Sequence, residues 1–171
     1  RLRMFQQVLR AVQYAHAQQV IHRDLKPSNI LVTAEGSVQL LDFGVAKLIK
    51  EGNARETELT QLGGKLLTPD YAAPEQIAGQ DISSATDVYA LGAILYELLT
   101  GERPYRLKRQ SRGALEEAIL ALEPPRPSAV LKTAAALEAR SATARKLNET
   151  LHGDLDTIAL KALKKRPGDR Y

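Results

Sequence analysis

The 171-residue chain contains no cysteine. Disulfides, zinc-thiolate sites and cysteine nucleophiles are excluded together, in keeping with a reducing compartment. No window approaches the roughly 18 consecutive apolar residues that a membrane-spanning helix needs, and the opening stretch "RLRMFQQVLR" has no apolar signal-peptide core. Aromatic residues are 5% of the chain and are not interleaved with basic ones, so nothing marks a nucleic-acid platform. Charge of one sign is scarce too. The net balance is +4, with basic residues clumped only at "RPYRLKRQSR" (103–112), which reads either as a docking patch for an acidic partner or as a solvated loop and helix start. The expectation is a cytoplasmic chain, with a membrane anchor in a parent protein outside this region left open.

What is present fits one globular domain: 44% hydrophobic and 26% charged residues over a length that buries well over half of the unfolded surface. Leu2, Phe5, Leu9 and Val12 recur at three- and four-residue steps and predict an amphipathic helix from residue 1 to about 19, with no capping residue before it. Ile30 to Val32 and Val38 to Leu41 read as two short strands joined by the turn "TAEGS". Residues 45 to about 70 have little periodicity and predict a long loop, which in a compact domain calls for a function. "TDVYALGAILYELL" (86–99) is apolar almost all round and stops at Gly101 and Pro104, as a central buried helix would. A shorter amphipathic helix is expected over 111–122, a break at "PPRPS", an alanine-rich stretch helical by propensity over 129–147, and a last helix in "GDLDTIALKALKK". In that last helix Asp154 and Asp156 lie near the start and Lys164 and Lys165 at the end, matching the macrodipole. The fold class expected is mainly α with a small β-hairpin.

The chemistry concentrates in "HRDLKPSN" (22–29), where His22, Arg23, Asp24, Lys26 and Asn29 stand directly before the apolar run "ILV". Across the hairpin follows "DFG", Asp42 to Gly44. This spacing resembles the catalytic loop of a protein kinase and its metal-binding aspartate. "TPDYAAPE" (68–75) resembles the end of the kinase activation loop. "DVYALG", beginning at Asp87, resembles the opening of the central helix of the C-terminal lobe, and Arg170 in "RPGDRY" stands where the family keeps an arginine that pairs with the "APE" glutamate, here Glu75. Lysine two residues after the aspartate is similar to the serine/threonine branch, and "YAAPEQ" with "GDLDTIALKALKK" to its bacterial members.

The resemblance implies ATP and Mg²⁺ as cofactors, a protein bearing Ser or Thr as substrate, and leaves room for a second kinase molecule as dimer partner. It implies that Asp24 orients the acceptor hydroxyl and takes its proton, that Lys26 brings a charge to the transferring phosphate, and that Asn29 and Asp42 give oxygen ligands to Mg²⁺. Leu31 would touch the adenine, and His22 and Phe43 would join the hydrophobic stack between lobes. Arg23 beside the base marks kinases switched by loop phosphorylation, with Thr57 and Thr60 as candidate sites and Thr68 as a partner of Asp24 and Lys26. Leu67 departs from the glycine of many relatives. His16 and His152 match no catalytic position and are expected on a helix surface or in packing. No G-x-G-x-x-G loop occurs and only 21 residues precede His22, so the expectation is a C-terminal lobe cut from a larger kinase domain over 1–171, inactive alone. Two other classes stay open: a pseudokinase or scaffold module, and a small-molecule phosphotransferase of the aminoglycoside kind, which does not explain Lys26, "APE" and "DVYALG" together.

Overall fold

The computed structural model describes residues 2–42, 69–105, 111–130 and 153–171. Helix α1 spans Leu2–Ala17 and buries Phe5, Val8, Val12 and Ala15. This corrects the expected stripe. Leu2 and Leu9 are 42% and 41% exposed, because the helix is rotated so that the steps 5, 8, 12 and 15, equally good helical spacing, face the core. Gln19, at φ 59°, reverses the chain after α1, and Val20 N–H returns to Ala15 O at 2.9 Å.

Strands β1 (Ile30–Val32) and β2 (Val38–Leu40) pair antiparallel with Ile30 opposite Leu40 and Val32 opposite Val38. Gly36, at φ 81°, supplies the left-handed turn residue. Gln7 of α1 ties the hairpin down, donating to Gly36 O at 3.0 Å and accepting from Val38 N–H at 3.1 Å. Ile30, Val38 and Leu40 pack against the core, whereas Leu31 and Val32 are each 45% exposed.

The short helix α2 (Pro74–Ile77) is followed by α3 (Ser84–Thr100), the pillar of the fold. Tyr89, Ala93, Leu95 and Tyr96 of α3 are almost wholly buried, as its nearly continuous apolar sequence requires. Ser83 caps its start, accepting from Ala85 N–H at 3.3 Å, and Gly101 at φ 78° ends it, with Gly101 N–H bonded to Glu97 O at 2.7 Å. Helix α4 covers Arg112–Ala121. The "PPRPS" stretch is not simply a break: Pro127 opens the short helix α5 (Pro127–Val130), where a missing N–H costs nothing. Helix α6 (Asp154–Ala162) lies against α3 and α5, and the C-terminal turn Pro167–Asp169 lies against α3. Asp156 in it is buried and does more than face the macrodipole, accepting from Ser128 Oγ at 2.6 Å and Ser128 N–H at 3.0 Å. Among the described residues no helix is long and apolar enough to cross a membrane.

Candidate functional site

The sequence "HRDLKPSN" (22–29) folds into a chain reversal followed by a 3-10 turn. Pro27 sits at the first position of the turn Pro27–Asn29, where its fixed φ is already right, and Asn29 N–H bonds Lys26 O at 2.9 Å. That turn brings three of the singled-out side chains together. Lys26 Nζ lies 2.7 Å from Asp24 Oδ2, and Asn29 Nδ2 donates to Asp24 O at 2.8 Å and to Asp24 Oδ2 at 3.3 Å. Asn29 is buried, and the side chains of Lys26 and Asp24 are 21% and 26% exposed. An ion pair this open is worth at most about 1 kcal/mol, so Lys26 can exchange its carboxylate for another anion.

The segment that leads to Asp42 is tied to this turn through the backbone. Leu41 N–H donates to Asn29 O at 2.9 Å, extending the hairpin, and Asp42 follows in a left-handed conformation at φ 58°. His22, only 1% exposed, spans from the loop to this segment, its Nε2 3.0 Å from Leu41 O. Leu31 lies on β1 with its side chain open to solvent. Arg23 has φ 68°, so two of the three non-glycine residues with positive φ among those described flank the site. A left-handed non-glycine residue costs about 1–3 kcal/mol and persists only where its surroundings determine it.

Those surroundings come from α3. The Asp87 carboxylate, 1% exposed, accepts from His22 N–H at 2.8 Å, from Arg23 N–H at 2.9 Å, and lies 2.7 Å from His16 Nε2. A buried carboxylate with three partners is stable where a bare one would not be, since hydrogen bonds to charged groups contribute about 1.5–3 kcal/mol each. The sequence places Asp87 at the head of a buried helix and His16 on a helix surface or in packing; the bond between them, across 71 residues, has no local signal. Gln76 was also missed: it donates to Arg23 O at 2.8 Å.

Below the loop, Glu75 and Arg170 form the expected pair, and it is bidentate. Arg170 Nη1 and Nη2 donate to Glu75 Oε1 and Oε2 at 2.7 and 2.8 Å, and Thr86 Oγ1 donates to Oε1 at 2.9 Å. Burial pushes the Glu75 carboxyl up, but the Arg170 bonds, a backbone bond, Arg170's charge and Thr86 outweigh it and hold the carboxyl below its usual range. Arg170 also donates to the carbonyls of Ala85, Lys164 and Lys165 and stacks over the Tyr89 ring, 4.9 Å from its centroid. Phe43, Gly44, Thr57, Thr60, Leu67, Thr68 and His152 lie outside the described residues. Two apolar hollows of about 400 and 470 Å³ flank α1, and neither is lined by Asp24, Lys26, Asn29 or Asp42.

The loop, the aspartate across the hairpin, the carboxylate that holds the loop from the central helix and the buried glutamate-arginine pair form one connected arrangement. The family described as "Protein kinase domain" matches residues 2–171. The chain belongs to the protein kinase family. It is 36% identical over 162 residues to the serine/threonine-protein kinase PknB of Mycobacterium tuberculosis (strain H37Rv), a match covering 94% of this chain and 22% of that protein. It is 43% identical over 126 residues to the serine/threonine-protein kinase PknA of the same strain, covering 74% of this chain and 27% of that protein. The chain thus spans about a quarter of the length of these relatives. The mainly helical fold with its two-stranded antiparallel sheet agrees with a kinase C-terminal lobe.

Proposed function

We propose that this chain supplies the catalytic loop and metal-binding aspartate of an ATP-dependent serine/threonine protein kinase, as the lobe that meets the protein substrate. The observation that carries the reading is the convergence of Asp24, Lys26 and Asn29 within 3.3 Å on a backbone fixed by Asp87. Kinship with proteins named serine/threonine-protein kinases supports it, as does Lys26 two residues after the acid.

The residues fit Mg²⁺. Mg²⁺ is commonly held by one or two protein oxygens and completed by phosphates, and Asn29 and Asp42 are oxygen donors of that kind. Asn29 spends its Nδ2 on Asp24, which turns the amide's oxygen to other use, and Asp42 adds a carboxylate next to the segment bonded to Asn29. The bound ion would neutralise charge on the transferring phosphate. Asp24 orients the incoming hydroxyl and receives its proton as the new oxygen–phosphorus bond forms and the bond from the γ-phosphorus to the departing ADP breaks. Lys26 leaves Asp24 for the phosphate oxygens and returns when the product departs. The fixed Asp24 backbone keeps the base in line with the hydroxyl, which is the larger part of the task in phosphoryl transfer.

In the full-length protein, Asp24→Asn is expected to lower kcat by at least a thousandfold with nucleotide affinity within about twofold, while Asp42→Ala also weakens Mg-ATP binding. Radiolabelled phosphate transfer and nucleotide titration measure the two. Wild-type-like turnover by Asp24→Asn would sink the reading. The 171 residues alone contain no glycine-rich loop and are expected to bind Mg-ATP weakly and transfer no phosphate; robust autophosphorylation by them overturns that part.

A further inference from the structure

Arg23, the residue before the base, is gripped on both of its backbone polar groups. Its N–H donates to Asp87 Oδ1 at 2.9 Å, and its carbonyl accepts from Gln76 Nε2 at 2.8 Å. The other end of the same amide is also used: Gln76 Oε1 accepts from Ala73 N–H at 3.0 Å, capping the start of α2. A backbone N–H can only donate and a carbonyl can only accept, so these two neighbours determine which end of the amide points where. A side chain here must therefore donate at one end and accept at the other.

The carbonyl of Arg23 lies in the rigid peptide plane that ends at the Cα of Asp24. Turning that carbonyl therefore turns the base. The residue before Gln76 in α2 is Glu75, fastened to Arg170 and Thr86, so the amide reaches the loop from an anchored helix.

We propose that Gln76 is a positioning residue for phosphoryl transfer: by holding the Arg23–Asp24 peptide from α2, it sets the direction in which Asp24 meets the acceptor hydroxyl. The inference rests on the kinase reading of Asp24. It assigns Gln76 no contact with nucleotide or substrate, so its loss acts on turnover more than on ATP affinity. It also makes the seating of α2, which directly follows the Pro69–Tyr71 turn, a condition for a competent base.

The test uses the full-length protein with Q76E and Q76M. Q76E keeps an oxygen for Ala73 N–H but faces Arg23 O with a second acceptor; Q76M loses both bonds. At pH 8, Q76E is expected to lower kcat at least tenfold with KM for ATP within twofold. Its carboxyl, once protonated, donates to Arg23 O again, so the Q76E-to-wild-type ratio of kcat should rise at least threefold on going to pH 5.5, whereas the Q76M ratio stays flat. Hydrogen exchange should accelerate at the amides of residues 22–24 in Q76M and at pH 8 in Q76E, with residues 88–99 unchanged. A Q76E kcat within twofold of wild type at pH 8, or a Q76E deficit that does not change with pH, overturns the proposal. If Q76E does not fold, Q76M decides: a kcat within twofold of wild type, or unchanged exchange at 22–24, overturns it. Should the wild type transfer no phosphate, the kinase reading fails separately, and the exchange of residues 22–24 in Q76M still decides whether Gln76 holds the loop.

Discussion

At the residue scale the strongest commitment is the Glu75–Arg170 pair, with side chains 2% and 0% exposed. Two buried charges are costly to desolvate, and such a pair adds stability only when its remaining donors and acceptors are also satisfied. Here they are. Glu75 takes Thr86 in addition, and Arg170 serves three backbone carbonyls at the end of the chain and the start of α3. Arg170→Met would leave a buried carboxylate and three carbonyls short of a donor, and is expected to cost about 3–5 kcal/mol. Adding Glu75→Gln to it should return only part of that loss, because the carbonyls of Ala85, Lys164 and Lys165 stay unserved. Urea unfolding of the two single variants and the double one measures the coupling. A double variant as stable as wild type would show that the pair, and not the carbonyl contacts, is all that Arg170 provides.

At the element scale α3 does most of the positioning, and at Gly92 it runs close against α6. A methyl group on Gly92 would stand 2.7 Å from Ala162 Cβ and 3.3 Å from Leu163 Cγ, with Ala162's backbone carbon also at 3.3 Å. Ala162 has no rotamer by which to retreat, so the helices must part. Gly92→Ala gains about 1 kcal/mol of helix propensity, but overpacking costs about 1–3 kcal/mol. The expected net is a loss of roughly 1 kcal/mol, recovered when Ala162→Gly is combined with it, as read from thermal unfolding. A stabilised Gly92→Ala would mean that the helices tolerate the wider spacing. Asp87 projects from the first turn of this same helix to the backbone of His22 and Arg23, so under the proposed kinase function a displaced α3 should also reduce turnover.

At the scale of the whole molecule, what the sequence displays is local and what it conceals is long-range. Asp24, Lys26 and Asn29 fall within six positions, so their meeting needs only one proline-led turn; the hairpin and the Gly101 stop are equally local. The contacts with His16 and Gln76 close over 71 and 53 residues and depend on how α1 and α2 seat against α3, which no spacing encodes. The rotation of α1 is of the same kind, because Leu2, Phe5, Leu9, Val12 and Phe5, Val8, Val12, Ala15 have equally helical steps and only the packed core chooses. Lys165 belongs to this class too: as a helix-end cation it was unremarkable, yet past the end of α6 it donates to Tyr105 Oη at 2.7 Å and Ile119 O at 2.6 Å. Burial lowers its pKa from 10.5 to about 8, with Arg170 and Lys164 adding to the shift against the pull of Glu123. Between pH 8 and 10 the unfolded chain therefore holds a proton that the folded one has shed, and raising the pH favours the folded state. Above pH 10 the sign reverses, because buried Tyr89 and Tyr105 resist the ionisation that unfolded tyrosines undergo. Glu75 acts at the other limit: its lowered pKa gives stability that is fully present above the ordinary carboxyl value of 4.5 and is lost as the pH falls through the folded value. Lys165→Met removes two hydrogen bonds at every pH, so its diagnostic is slope and not offset. Stability of wild type minus Lys165→Met should climb from pH 8 to 10 and be flat from pH 6 to 7.5, measured by urea titration at each pH. A flat difference throughout would place the Lys165 ammonium in contact with water and remove burial as the cause of its shift.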